Sequence, residues 1–233
     1  MPVVDAILLD VGGIFHLPDH DAIAGALSRS GFEPDRSLID RAHYAGAARF
    51  VTDYVGDLDW QYFWGEYLDA YVDVLGVPDA IRADALEHLS SEFASAGIWT
   101  RVIDGAKEAL AALRATGARL GVVSNADGSV GARLHDQEVL QVGSGMGVQV
   151  ECIIDSGEVG VQKPDPRIFR IALDAMGIEP DRAWYVGDMP GIDVVGARAA
   201  GLRPIVMDPF GFHDEADYAA VRSLRDVATL ASG

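Results

Sequence analysis

The sequence predicts an α/β fold: a parallel sheet covered on both faces by helices, with a purely helical block inserted after the first strand. Three observations carry the prediction. Short apolar runs alternate with helical stretches from residue 104 to residue 207, the pattern that builds parallel sheets. A similar run opens the chain. Between the two, residues 18–99 carry apolar side chains mainly at three- and four-residue spacing, the period of helices. The expected organisation is a three-layer core made of residues 1–17 and 100–233, with residues 18–99 as the helical insert.

Each element follows from local chemistry. Val3 to Leu9 is rich in branched residues and runs into Asp10-Val11-Gly12-Gly13, which reads as a buried strand ending in a glycine loop. Ala22 to Leu27, Leu38 to Phe50, Trp60 to Leu75 and Ile81 to Ala94 read as helices, punctuated by Pro34 and by Val77-Pro78-Asp79,. Asp104 is placed to cap a helix that runs to Thr116 and stops at Gly117,. Leu120 to Val123 is the next buried strand, ending at Ser124-Asn125, and Ser129 to Leu140 is expected to be helical. Gly143 to Gly147 is a flexible loop that matches no dinucleotide or phosphate-loop pattern,. Val148 to Ile154 reads as strand and Pro166 to Met176 as helix, with Gly177 as its stop. Trp184 to Val186 is a strand running into Gly187-Asp188. Asp193 to Ala200 is a helix ended by Gly201, and Pro204 to Met207 is a last core strand.

Composition narrows the function. The formal charge is −18 and the pI near 4.5, so the chain repels polyanions, and neither a nucleic-acid partner nor an anionic membrane surface is expected. No apolar run approaches the ~20 residues that span a bilayer, and the N-terminal segment lacks the basic flank of a signal peptide. The single cysteine, Cys152, makes no internal disulfide and agrees with a cytoplasmic setting. Sixteen arginines stand against two lysines, Lys107 and Lys163, and asparagine occurs once, at Asn125.

In an open parallel sheet, ligands bind beyond the carboxyl ends of the strands. Those ends carry Asp10, Ser124, the loop with Lys163, and Asp188 with Asp193. Convergence of these ends makes a pocket of carboxylates, a hydroxyl and an ammonium. Close carboxylates repel one another, and a hard divalent cation with oxygen ligands, such as magnesium, relieves the conflict. Each residue also has an ordinary explanation. Aspartates after strands cap helices, Ser-Asn forms turns, and a lysine before proline lies on a solvated loop. Their joint order and placement at strand ends is what sets them apart.

Taken with their surroundings, these residues resemble the motifs of the haloacid dehalogenase-like hydrolases. Asp10-Val11-Gly12-Gly13-Ile14 is similar to the first motif and Val122-Val123-Ser124-Asn125 to the second. Lys163 within Val161 to Phe169 resembles the third, and Tyr185 to Asp193, with two acids five apart, the fourth. The resemblance spans residues 3 to about 207, and the insert after the first motif matches the subclass with an α-helical cap on a Rossmann-like core.

The resemblance implies hydrolysis of a small phosphorylated metabolite through an aspartyl-phosphate on Asp10. It implies Mg2+ held by Asp10, the carbonyl of Gly12 and Asp188, with Asp193 supporting the site directly or through water and Lys163. Ser124, with the Asn125 amide and the Gly12-Gly13 loop, would bind the phosphoryl group, and Lys163 would balance its charge. The oligomeric state is not legible.

One position departs from the pattern. The phosphatases of this family carry a second aspartate two residues after the nucleophile, and here that residue is Gly12. Three explanations stand. The leaving group needs little protonation; another side chain, with His16 as candidate, replaces the acid; or the protein is a catalytically weakened phosphometabolite-binding or regulatory relative. A carbon-attacking haloacid-type dehalogenase is a further alternative, against which the Gly187-Asp188 pair argues. Phosphonate cleavage would require a lysine in the insert, and residues 18–99 contain none. The insert is rich in aromatics, among them Tyr44, Phe50, Tyr54, Trp60, Tyr62, Phe63, Trp64, Tyr67 and Tyr71. They are expected mostly to pack the insert, with a few facing substrate. Arg41, His43 and Arg49 are expected on solvated helix faces.

Overall fold

A computed structural model of the chain describes residues 4–49, 58–213 and 216–233. Met1 to Val3, the expected strand start at Val3, and the aromatics Phe50 and Tyr54 lie outside them. In chain order the strands are β1 Ala6–Leu9, β2 His16–Pro18, β3 Trp99–Val102, β4 Arg119–Ser124, β5 Leu140–Val142, β6 Val148–Val150, β7 Ile153–Asp155, β8 Ala183–Gly187, β9 Arg203–Met207 and β10 Ala219–Val221. The helices are α1 His20–Ser28, α2 Ile39–Arg49, α3 Trp60–Leu75, α4 Arg82–Phe93, α5 Ala106–Ala115, α6 Val130–Asp136, α7 Ser156–Val159, α8 Pro166–Met176, α9 Pro190–Ala200 and α10 Leu224–Ser232.

The expected α/β architecture is present. Six strands form one parallel sheet in the order β10-β9-β8-β1-β4-β7. Alternation along β1 feeds two cores: Ile7 and Leu9 pack with residues of α5 and α10, whereas Ala6 and Leu8 pack with residues of α8 and α9. Both faces of the strand are thus buried, which explains why it reads as a continuous apolar run. Register then fixes the site. Leu9 pairs with Val122 on one side and Val186 on the other, so Asp10, Ser124 and Asp188 emerge together beyond the same sheet edge.

Helices α1 to α4 fall between β1 and β4 and share their own apolar cluster, including Ile23, Leu27, Ile39, Tyr67, Tyr71, Leu89 and Phe93. The chain enters this block through β2 and leaves through β3, and these two strands pair antiparallel. Gly46 permits the close crossing of α2 and α3, since a Cβ there would stand 2.8 Å from the Tyr67 carbonyl. Among the described residues no helix is long and apolar enough to cross a membrane.

Three local expectations are corrected. Asp104 does not cap α5; Gly105 holds that position in a left-handed conformation (φ 75°) and no side chain caps the helix. The helix expected over Ser129 to Leu140 ends at Asp136, because Glu138 adopts a left-handed φ of 55° and Leu140–Val142 becomes a strand paired with β6. The single strand expected over Val148 to Ile154 is two, β6 and β7, and only β7 joins the main sheet. The C-terminal β10 and α10 were not expected. By contrast, α8 has the ends its sequence announces: the Asp165 carboxylate accepts from the Arg167 amide, and Gly177 closes the helix at φ 61°,.

Candidate active site

The strand ends bring the expected residues around one cavity of about 570 Å³, lined by Asp10, Gly12, Ser124, Asn125, Lys163, Asp188 and Asp193. Asp10, Asp188 and Asp193 each offer a carboxylate oxygen, and these oxygens lie within 4.8 Å of one another. All three aspartates are buried.

Lys163 ties the cluster together. Its Nζ donates to Asp10 Oδ2 at 2.6 Å, Asp193 Oδ1 at 2.8 Å and the Tyr185 hydroxyl at 2.8 Å. Burial by itself would lower the lysine pKa, but the carboxylates of Asp10 and Asp193 outweigh it and raise the pKa to about 12. The other Asp10 oxygen accepts from the Val11 amide at 2.7 Å. Asp193 lies in the first turn of α9, and its Oδ2 accepts from the Asp188 and Met189 amides at 3.0 and 2.9 Å. That side chain therefore shapes the loop carrying Asp188 while its Oδ1 faces Lys163.

The electrostatic balance is unfilled. Three buried carboxylates gather around one ammonium. Burial pushes the Asp10 carboxyl up to about 7, with Asp193 and Asp188 adding to the shift and Lys163 opposing it. Burial likewise raises Asp188. A buried, all-oxygen, net-anionic cluster suits a hard cation, so the donor set fits a metal ion.

The single asparagine has a specific task. Asn125 Nδ2 donates to the Lys163 carbonyl at 3.0 Å, and the Lys163 amide donates to Asn125 Oδ1 at 2.7 Å. This two-way clamp needs a side chain with both a donor and an acceptor, and it joins the second motif to the third. The sequence reading placed Asn125 at the site without this contact; the scarcity of asparagine was its only signal.

Glycines allow the crowding. A Cβ on Gly187 would stand 2.3 Å from Asp193 Oδ2, and one on Gly13, where φ is 67°, would stand 2.3 Å from Asp188 Cγ. Gly13 does not line the cavity. Its amide donates to the His16 carbonyl and its carbonyl accepts from the Tyr44 hydroxyl at 2.6 Å, so it spaces the loop instead of facing substrate. Gly12 does line the cavity, and a Cβ there would meet the Trp99 ring at 3.5 Å, an ordinary contact.

His16 is fully buried. Its Nε2 is 2.5 Å from Gln137 Oε1, whose amide is oriented by a bond from Gln137 Nε2 to the Thr100 carbonyl at 3.0 Å. Burial lowers the His16 pKa, with the Gln137 bond opposing. That shift disfavours the protonated imidazole, and Nε2 is engaged by Gln137,.

Of the insert's aromatics, Phe63, Tyr67 and Tyr71 pack internally, as expected. Trp60, Trp64 and Trp99 are half-buried and line the same cavity as the aspartates. Arg41 and Arg49 are exposed, the first over the Phe210 and Phe212 rings and the second paired with Glu66. His43 is the correction: it is not solvated but fully buried, with Nε2 2.9 Å from Asp188 Oδ2. Helix periodicity marks it as facing inward with Ile39, Ala42 and Gly46, yet nothing in the sequence says which element it meets.

Comparison with known proteins agrees with this geometry. The family model for haloacid dehalogenase-like hydrolases matches residues 4–201. A protein of Thermus thermophilus named phosphoserine phosphatase is 51% identical over 67 residues, covering 29% of this chain and 27% of that relative. Across the first three relatives the matched stretch is 27% to 55% of the relative's own length. A Rhodospirillum rubrum protein named phosphoglycolate phosphatase is 31% identical over 232 residues, covering 97% of this chain and 88% of the relative. The crystal structure of a hydrolase of the same superfamily from Ehrlichia chaffeensis superposes with a TM-score of 0.59 at 20% identity, covering 98% of this chain and 96% of that one, a likeness of fold. A strand-end aspartate cluster, a buried lysine and a family match over most of the sequence lead to one conclusion: the chain belongs to the haloacid dehalogenase-like hydrolases.

Proposed function

We propose that the protein is a magnesium-dependent phosphatase of small phosphomonoesters, working through an aspartyl-phosphate on Asp10, with residues 18–99 acting as a cap over the core. The observation that carries the reading is Asp10 itself. It is buried at the mouth of β1, one oxygen held by Lys163 Nζ at 2.6 Å and the other by the Val11 amide at 2.7 Å. That fixes the orientation of a carboxylate at the edge of the cavity,.

Asp10, the Gly12 carbonyl and Asp188 would hold Mg2+, with Asp193 behind them. The ion would neutralise charge on the nucleophile and on the phosphoryl oxygens. An Asp10 oxygen attacks phosphorus, the bond to the leaving oxygen breaks, and water then attacks phosphorus to return the carboxylate and free phosphate. Ser124 and the Asn125 amide orient the transferring group, and Lys163 stabilises its oxygens. With Gly12 in place of an acid and His16 Nε2 engaged by Gln137, neither residue is placed to protonate the leaving oxygen. Esters of good leaving groups are therefore the preferred substrates. Trp60, Trp64 and Trp99 offer that leaving group flat apolar surface, which favours aryl groups over small polar acids. Cys152 is buried, its thiol pushed up to about 11 by that burial, and is inert, in keeping with a cytoplasmic enzyme.

The test is phosphate release from para-nitrophenyl phosphate and a panel of phosphorylated metabolites, with Mg2+ and with EDTA. Release that needs Mg2+ and disappears in Asp10→Asn supports the mechanism. An active Asp10→Asn protein overturns the nucleophile, and release undiminished by EDTA overturns the metal.

A further inference from the structure

Helix α2 touches the site at two consecutive residues. The Tyr44 hydroxyl donates to the Gly13 carbonyl at 2.6 Å, and His43 Nε2 stands 2.9 Å from Asp188 Oδ2. Apart from this contact, neither His43 Nε2 nor Asp188 Oδ2 has a hydrogen-bonding partner among the described residues. The approach is bent, so the contact is electrostatic before it is a straight hydrogen bond. The imidazole is fully buried and gripped on all sides. Its Nδ1 is 2.8 Å from the Tyr67 hydroxyl on α3, and the rings of Tyr44 and Trp99 meet it edge-on at 4.8 and 5.4 Å. Burial holds the Tyr67 hydroxyl well above its usual pKa, so it keeps the proton that it can donate to Nδ1. When Tyr67 donates to Nδ1, the imidazole proton is on Nε2, the ring nitrogen that stands beside Asp188,.

We propose that His43 is a positioning residue for the metal site: from the cap it orients the Asp188 carboxylate for the cation, with Tyr67 fixing the imidazole. This rests on the metal-dependent reading above and extends it. Mg2+ prefers oxygen donors, which puts His43 behind the carboxylate and not on the ion. Groups that orient ligating side chains typically change metal affinity 10–100-fold when removed. Because His43 and Tyr67 lie on the insert while Asp188 lies on the core, the arrangement also makes cap docking and metal binding mutually dependent. Metal affinity then depends on residues that touch neither substrate nor ion.

The experiment is isothermal titration of Mg2+ into the metal-free full chain, in the wild type and in His43→Leu, His43→Gln and Tyr67→Phe, with thermal melts as a folding check. The expected result is an Mg2+ Kd raised about 10-fold or more in His43→Leu, mostly restored in His43→Gln, whose amide can donate to Asp188, and raised less in Tyr67→Phe. A folded His43→Leu protein that binds Mg2+ as tightly as wild type, or more tightly, overturns the proposal. If His43→Leu does not fold, Tyr67→Phe decides, since it removes one hydroxyl and keeps the ring; an unchanged Kd there is equally fatal. A wild type that binds no Mg2+ overturns both this inference and the metal-dependent reading, whereas tight wild-type binding with unaffected variants overturns this inference alone.

Discussion

Replacing Lys163 with methionine keeps an unbranched side chain, one atom shorter, and removes its charge from the centre of the site. The ammonium is 2.6 Å from Asp10 and 2.8 Å from Asp193, so each attraction is about 6 kcal/mol at an effective dielectric of 20. Desolvation of the three ions offsets most of that sum, and breaking one side of a buried pair leaves a net loss of about 3–5 kcal/mol. Against total stabilities of about 5–15 kcal/mol, that is a large fraction. The loss has a pH signature. Asp10 is already raised to about 7, and without the lysine it rises further. A carboxyl whose folded pKa exceeds its unfolded value of about 3.9 binds more protons when folded, so stability falls as pH rises between the two values. The deficit of Lys163→Met is therefore larger at pH 8 than at pH 6. Urea denaturation followed by far-UV circular dichroism in EDTA measures it. A deficit below about 1 kcal/mol, or one that shrinks toward pH 8, refutes the picture of Lys163 as the neutralising charge of a buried anionic cluster.

Three further outcomes follow from the same geometry. In EDTA the wild-type melting temperature is expected to fall between pH 5 and pH 8, with Asp10 contributing up to about 3 kcal/mol over that window, and Asp10→Asn flattens the slope; a slope unchanged in that variant rules Asp10 out as its source. Gly12→Asp places its Cβ in ordinary contact with Trp99, and the added carboxyl is expected to raise kcat/KM on alkyl phosphates by about 100-fold, the low side of general acid catalysis, with little gain on para-nitrophenyl phosphate. Gly187→Ala drives a methyl to 2.3 Å from Asp193 Oδ2 and is expected to destabilise the fold by about 1–3 kcal/mol, read by denaturation, and to abolish phosphate release.

What the sequence made legible is what local chemistry determines. The strands β1, β4, β8 and β9 are continuous apolar runs because both their faces are buried, and α8 announces its ends with Asp165 and Gly177. Asp10, Lys163, Asp188 and Asp193 were found because the carboxyl ends of adjacent parallel strands must converge, whatever the loops between them do. Pairings that depend on distant chain were not legible. Val139 to Val142 continue an apolar helix pattern, and only the partner β6 pulls Leu140–Val142 into a strand. His43 was expected on a solvated face, although Ile39, Ala42 and Gly46 mark its side of α2 as the buried one. Its own helix shows that it faces inward, but whether inward means apolar packing or an aspartate on another segment is decided by docking.

The scarcity of lysine acquires a physical meaning at the site. Lys163 Nζ has three protons and three acceptors, on Asp10, Asp193 and Tyr185, at 2.6 to 2.8 Å. A compact ammonium matches three converging oxygens, whereas the planar guanidinium fork matches a single carboxylate edge-on. The arginines serve that second purpose on the surface: Arg119 with Glu151, Arg167 with Asp165 and Arg182 with Asp5 are all two-pronged pairs on exposed carboxylates. The other lysine, Lys107, is exposed on α5. The chain thus uses arginine where a cation steadies the surface and a buried lysine where it must balance several acids at one point. That single ammonium still leaves the cluster anionic, and the remaining charge is the physical reason to expect a divalent cation beside Asp10 in a protein whose overall charge of −18 would otherwise repel a phosphate.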